Sequence, residues 1–234
     1  FADNGRLDAR GIHWCWDSGL HVPMIIWYPK GKDAPKQIVP GRVDDQVYSL
    51  IDVAATTLWI AGIPKPFGMQ SRVFLGPNSD SPRSYAFAAR DRIDETQVRL
   101  RSVHDSQYHY IRNFTPGAGF QTLNRYKEKC FLVKPLMRDL YAEGKLSGPP
   151  ADLMKPFPNE MLYDTHSDPH EINNLADSNN QEHQDALNRL RAALDTWMVS
   201  TNDRGHIPEP QELVDEFSKE MHDWFGTPGW FQEN

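Results

Sequence analysis

Three strand-like runs between Ser84 and Phe114, SYAFAA, QVRLRSVHD and QYHYIRNF, constrain the fold more than any other feature of this chain. In the second run Val98, Leu100 and Ser102 alternate with Arg99, Arg101 and Val103, the period of a strand that shows one set of side chains to each face. Asp105-Ser106-Gln107 supplies turn chemistry between the second and third runs, so these two are expected to pair antiparallel. Farther along, Leu187, Leu190, Leu194, Trp197 and Met198 recur at helical spacing. Such a stripe needs an apolar surface to cover, and the strands provide one. A small antiparallel sheet packed by a C-terminal helix is therefore expected.

The first part of the chain reads differently. VPMIIWYP, residues 22–29, is a short apolar run bounded by prolines and suits a buried strand of an α/β sheet. A Lys-, Gly- and Pro-rich loop follows it. Val47, Leu50, Ile51, Ala54, Ala55 and Leu58 then mark a core-facing amphipathic helix. Asp44 and Asp45 would favour its positive end, and Gly62 with Pro64 stops it. Residues 115–160, with several Pro and Gly, are expected to be irregular and to wrap the surface. These readings divide the chain into an α/β part, residues 1–84, and a sheet subdomain with a C-terminal helix and tail, residues 85–234.

Charge excludes one class of partner. With 25 Lys and Arg against 32 Asp and Glu, the net charge is −7, and the basic residues are scattered, so no nucleic-acid partner is expected. No apolar run is long enough to span a bilayer. Cys15 and Cys130 form neither a CxxC pair nor a zinc spacing; a disulfide and two free thiols both remain open. The opening residues FADNG read as the end of a strand rather than a natural beginning, and a preceding segment is expected.

Asp3-Asn4-Gly5 admits two readings: a tight turn, or a pair of oxygen ligands for a hard cation. The alternating charges of Arg90-Asp91-Arg92-Ile93-Asp94-Glu95 follow an apolar strand and suit either an anion site or a solvated salt-bridge cluster. His166 and His170 have the spacing of a helical metal pair, but Pro169 between them disfavours the helix, and zinc is not expected. His104 and His109 flank the turn as ordinary strand residues. Asn113-Phe114-Thr115 matches a glycosylation sequon. No GxSxG, P-loop, GxGxxG or HExxH motif occurs, and the chain holds no complete nucleophile constellation.

The ordered segments DNG, WDSGLHVPMIIWYP, VYSLIDVAATTLWIAGIPKP, MQSRVFLG, FAARDRIDE, SVHDSQYHYIRNF and LYDTHSDPHEINNLAD together resemble the later half of a formylglycine-dependent sulfatase, from Asp3 to about Gly205. The resemblance implies an α/β fold, the later half of an alkaline-phosphatase-like sandwich with a small C-terminal antiparallel sheet packed by a helix. It implies that Asp3 and Asn4 are two ligands of a Ca²⁺ site completed by acidic residues of an N-terminal sulfatase portion. The nucleophile would be a formylglycine made from a Cys in a CxPxR motif. Neither Cys15, in CWDSG, nor Cys130, in CFLVKP, lies in such a motif, so that Cys is expected outside this chain, and the chain alone is expected to be inactive.

The same resemblance points to hydrolysis of a sulfate ester, on a sulfated small molecule or glycan, with a periplasmic or secreted location. Candidate substrate-binding residues are His13, His21, Arg90 and Arg92. One departure stands out. Ile12 occupies the position where the family pattern has a sulfate-contacting Lys, relative to the acidic residue matched by Asp17. Loss of one such donor costs about 10²- to 10³-fold in rate. Two alternatives therefore accompany the sulfatase reading: a non-catalytic relative that binds a glycan or protein partner, and a phosphodiesterase-like hydrolase on the same scaffold. The aromatics Phe120, Tyr126 and Tyr141 are candidates for stacking on sugar rings or for packing.

Overall fold

The computed structural model describes residues 1–29 and 34–231; part of the loop after Pro29 lies outside the described residues. Its centre is a four-stranded antiparallel sheet in the order β1 (Ala86–Ile93), β2 (Thr96–His104), β3 (Tyr108–Asn113) and β4 (Glu160–Asp164). The expected turn is present. Asp105 Oδ1 accepts the amides of Gln107 and Tyr108 at 2.8 and 2.7 Å, and His104 is then paired with His109. Pairing of Tyr110 with Leu162 and of Ile111 with Met161 adds β4, a strand the sequence pattern did not announce.

The period-two alternation of β2 is realised. Val98 and Leu100 join Ile111, Met161 and Tyr163 on one face, against Trp14, Cys15, Trp16, Phe120 and Phe157. Val103, with Tyr110 and Leu162, faces the helix α6 (Gln181–Ser200) and its Leu187, Leu190 and Leu194. Both faces are covered, so every residue of β3 except Arg112 is buried. Asn180 caps α6 by accepting the Glu182 amide at 2.9 Å.

The first part departs from expectation. Residues 22–29 form no strand among the described residues, and Ile25 and Trp27 are 87% and 77% exposed. A strand is defined by its ladder, and among the described residues of this run the Pro23 carbonyl accepts one backbone bond, from Ala2 at 3.3 Å, with no ladder beside it. The amphipathic helix forms as α2 (Ile51–Ile60), starting later than Asp44 and Asp45. Asp52, rather than a residue before the helix, organises its start: its carboxylate accepts the Ser49 amide at 3.2 Å and a fork from Arg83. Ala55 is buried, but Ile51 and Ala54 are exposed, so the expected core stripe faces outward in part. Gly62, at φ +71°, ends the helix as expected.

Residues 115–160 are not a surface wrap. They form α3 (Arg125–Cys130), α4 (Val133–Ala142) and α5 (Pro149–Leu153), and send Phe120, Met154 and Phe157 into the core. A last helix, α7 (Gln211–Phe225), meets α3 through Tyr126 and Phe225, whose rings lie 5.6 Å apart.

Candidate functional site

The Asp3-Asn4-Gly5 turn is held by its neighbour in space. Gly5 and Arg6 donate backbone bonds to Gly19 and Ser18 at 3.0 Å, which lays residues 2–6 beside the segment that carries α1 (Asp17–Leu20) and His21. A Cβ on Gly5 would come within 2.2 Å of the Ser18 carbonyl oxygen, so glycine is needed here for close approach. Asp3 is exposed, and its Oδ1 accepts from Asn4 Nδ2 at 3.0 Å.

Asp17 and His21 stand one helical turn apart, with Oδ2 to Nδ1 at 3.1 Å. Burial works to raise the Asp17 carboxyl, but the His21 hydrogen bond and charge, together with His104 and His109, bring it below its ordinary value. The bond from Asp17, followed by its charge, raises the His21 imidazole above its ordinary value. The Asp17 amide donates to Glu171 Oε2 at 2.7 Å, and Glu171 Oε1 meets His109 Nδ1 at 2.5 Å. Thus the WDSGLHVP and DPHEINNLA segments, far apart in the chain, dock on each other.

A second group surrounds Trp14. Arg90 lies over the Trp14 ring, 4.1 Å from its centroid, and donates to the carbonyls of Val98 at 3.0 Å and His13 at 2.5 Å. Lys127 Nζ donates to the Ile12 carbonyl at 3.3 Å and lies 5.4 Å from the Trp14 ring centroid. Burial, followed by the charges of Arg90 and Lys134, lowers the Lys127 ammonium to about 7. Burial, then Lys127 and Arg90, lowers His13 to about 4, and the His13 backbone is left-handed at φ +77°. Burial also pulls Arg90 down to about 10. His13 and Arg90 are therefore together, beside a lysine that nothing in the RYKEKC stretch singles out.

The remaining candidates fall elsewhere. Arg92 pairs with Glu209 at 2.7 Å and lies over the Phe217 ring of α7, 3.6 Å from its centroid. His166 and His170 are exposed in a turn, and no metal-binding group of three or more His, Cys, Asp or Glu occurs among the described residues. Asn113 of the sequon is buried, with its Nδ2 donating to the Phe157 carbonyl at 3.2 Å. Phe120 and Tyr126 pack on Trp14 and Phe131, while Tyr141 is partly exposed. Both cysteines are free thiols, and burial pushes Cys15 up to about 12.

No family model matches the chain. An ulvan-active sulfatase of Formosa agariphila is 37% identical over 215 residues, which are 92% of this chain and 34% of that protein. The chain is a sulfatase relative. Another ulvan-active sulfatase of the same organism is 28% identical over 209 residues, 86% of this chain and 37% of its own length. A solved 2-O GAG sulfatase aligns with a TM-score of 0.41 at 18% identity, over 65% of this chain and 25% of that one. This sulfatase relative spans about a third of the length of the curated proteins it matches. Among its described residues, no helix is long and apolar enough to cross a membrane.

Proposed function

We propose that this chain is the C-terminal portion of a sulfatase that hydrolyses a sulfate ester of a sulfated carbohydrate. The observation that carries the reading is the 37% identity to an ulvan-active sulfatase across 92% of the chain. In this reading Asp3 and Asn4 contribute to a Ca²⁺ site. Their donor chemistry suits the ion, since Ca²⁺ takes about six to eight oxygens from carboxylates and amides, and Asp3 is exposed to receive it. Two residues are an incomplete shell, and acidic residues of an N-terminal sulfatase portion complete it. When bound, the cation neutralises charge on sulfate oxygens.

The chain's own residues hold and orient. His21, whose protonated form is favoured by Asp17, presents its imidazole to an anionic ester. Arg90 and, in part, Lys127 add positive character beside Ile12, where a family lysine is absent, while His13, lowered to about 4, offers a neutral imidazole to the ester. The nucleophile comes from a formylglycine outside this chain, since Cys15 is buried and Cys130 lies outside the required motif. The exposed apolar run at residues 22–29 and the outward side of α2 suit docking against that N-terminal portion. Periplasmic or secreted location goes with this reading.

A non-catalytic relative is the second reading, and Ile12 is the feature that favours it. Assays of the complete enzyme on nitrophenyl sulfate and bis-nitrophenyl phosphate separate the cases: sulfate release is expected, preference for the diester indicates the phosphodiesterase-like alternative, and inactivity on both indicates the binding relative. Asp3→Ala in that enzyme is expected to weaken calcium binding, measured by calorimetry, and to lower turnover. Unchanged metal content and rate would remove Asp3 from the site.

A further inference from the structure

Glu171 presents an unusual combination. It is 1% exposed, it lies at the left-handed φ of +51°, and both its carboxylate oxygens are engaged by groups from other segments. One oxygen meets His109 Nδ1 on β3, and the other accepts the Asp17 amide at the start of α1. Arg10 holds the Glu171 backbone from the same side as α1, donating to its carbonyl at 2.8 Å, and also bonds the His170 carbonyl. His109 is fully buried, and its Nε2 has no protein partner. The contact with a carboxylate oxygen places a hydrogen on Nδ1, which donates to Glu171.

Burying a carboxylate is costly, and where only stability is needed apolar packing does as well or better. A non-glycine residue in left-handed backbone adds strain, which persists where the surroundings enforce it. Both costs are met here to hold a single amide, that of Asp17, whose side chain in turn bonds His21. The sheet is the rigid element behind this contact, because β3 is paired on both sides and His109 stands opposite Tyr163. Tyr163 reinforces the junction by accepting from Trp16 Nε1 at 3.3 Å.

We propose that Glu171 and His109 form a buried positioning pair through which the sheet sets the place of Asp17 and His21 in the sulfate-ester site. Neither residue touches substrate in this scheme; both act through the Asp17 amide. The catalytic consequence rests on the sulfatase reading, whereas the structural link does not, and the experiment reads the two separately.

The link is tested by NMR on the 234-residue chain, with no substrate. In the wild-type chain the Asp17 amide is expected to be protected from solvent exchange; exchange at the rate of an open loop amide overturns the proposal without any variant. Glu171→Gln keeps the side-chain shape but replaces one acceptor by a donor. Its His21 ring signals are expected to move toward those of Asp17→Ala, with Asp17 amide exchange faster by about tenfold or more. His109→Gln, which retains a donor for Glu171, is expected to keep the wild-type His21 signals, whereas His109→Leu is expected to shift them as Glu171→Gln does. Unmoved His21 signals in a folded Glu171→Gln chain overturn the link. In the complete enzyme, Glu171→Gln is expected to lower kcat by about 10²-fold with KM changed less than kcat. Full turnover in that variant overturns the positioning role. Wild-type inactivity on sulfate esters is read first and overturns the sulfatase reading alone.

Discussion

The sheet with α6 and the first eighty or so residues are built on different principles. In the sheet, Val98, Leu100, Val103, Tyr110, Ile111, Leu162, Leu190 and Leu194 are 0% exposed, and apolar packing on two faces holds the strands. In the first part, large apolar side chains such as Ile25, Trp27, Ile60 and Phe67 face outward. Order there comes from polar clasps: Asp52 gathers Ser49, Arg72 and Arg83, and Gln37 bridges to Gly76. The difference teaches that burial, more than hydrophobicity, identifies a core. Trp14, Cys15 and Trp16 of the first part do join the core under the sheet, but its outward-facing apolar residues would become interior only against a further surface.

Breaking the apolar region is expected to have the largest effect. Leu194→Ala, at a fully buried position of α6, is expected to cost about 4 kcal/mol in urea unfolding, through lost transfer energy and a residual cavity. A cost below about 1 kcal/mol would show that α6 is replaceable cover rather than core. The polar clasp is the next test. Asp52→Asn is expected to cost about 2 kcal/mol at neutral pH, because Arg83 loses its ionic partner.

The Asp52 contribution carries a pH signature with a definite sign. Burial works to raise this carboxyl, but the Arg83 bond and the amides of Arg72 and Ser49 leave it below its ordinary value of 3.8. Its stabilisation is then fully present above pH 3.8 and fades as pH falls through the lowered folded value. The gap between wild type and Asp52→Asn should close on acidification below that point. A gap that persists there would assign the effect to shape rather than charge.

A smaller effect of opposite sign is expected from Lys127→Met. The Lys127 ammonium falls from 10.5 to about 7 on folding, so the unfolded chain holds the extra proton between those values. Wild-type stability therefore gains from this group as pH rises from about 7 toward 10.5, and its burial penalty is complete below about 7. Lys127→Met is expected to stabilise by about 1 kcal/mol at pH 6, an advantage that shrinks by pH 9. An advantage independent of pH would mean that the charge is not what the fold resists. Smallest of all, Trp27→Ser is expected to change unfolding by less than about 0.5 kcal/mol, as for an exposed residue. A larger loss would show that residues 22–29 are already part of a core, and would erase the contrast between the two regions.

Much of the sheet was legible. β2 announced its two faces through Val98, Leu100 and Ser102 against Arg99, Arg101 and Val103, and α6 through its leucine stripe. Less was legible where context outweighs pattern. VPMIIWYP has the composition of a buried strand, yet strand character requires a neighbouring backbone, which composition does not supply. The helices α4 and α5 were hidden by the prolines and glycines around them, although Pro149 and Pro150 stand where a first turn tolerates proline. In α7, Leu213, Phe217 and Met221 do have helical spacing, a weak signal beside Pro208 and Pro210.

The site shows the same division. Asp17, His21, His13 and Arg90 attracted notice as residue types in motifs, but Glu171 meets Asp17 across 154 positions and Lys127 meets Ile12 across 115. Periodicity and turn chemistry are properties of neighbouring residues, so the amino-acid order alone determined the first three strands, the turn between the second and third, and the covering helix, whereas β4 was not announced. Which distant side chains share a site was decided only in tertiary structure, because that choice depends on how both faces of the sheet are filled, and burial turns a lone carboxylate or ammonium into a group that must find a partner.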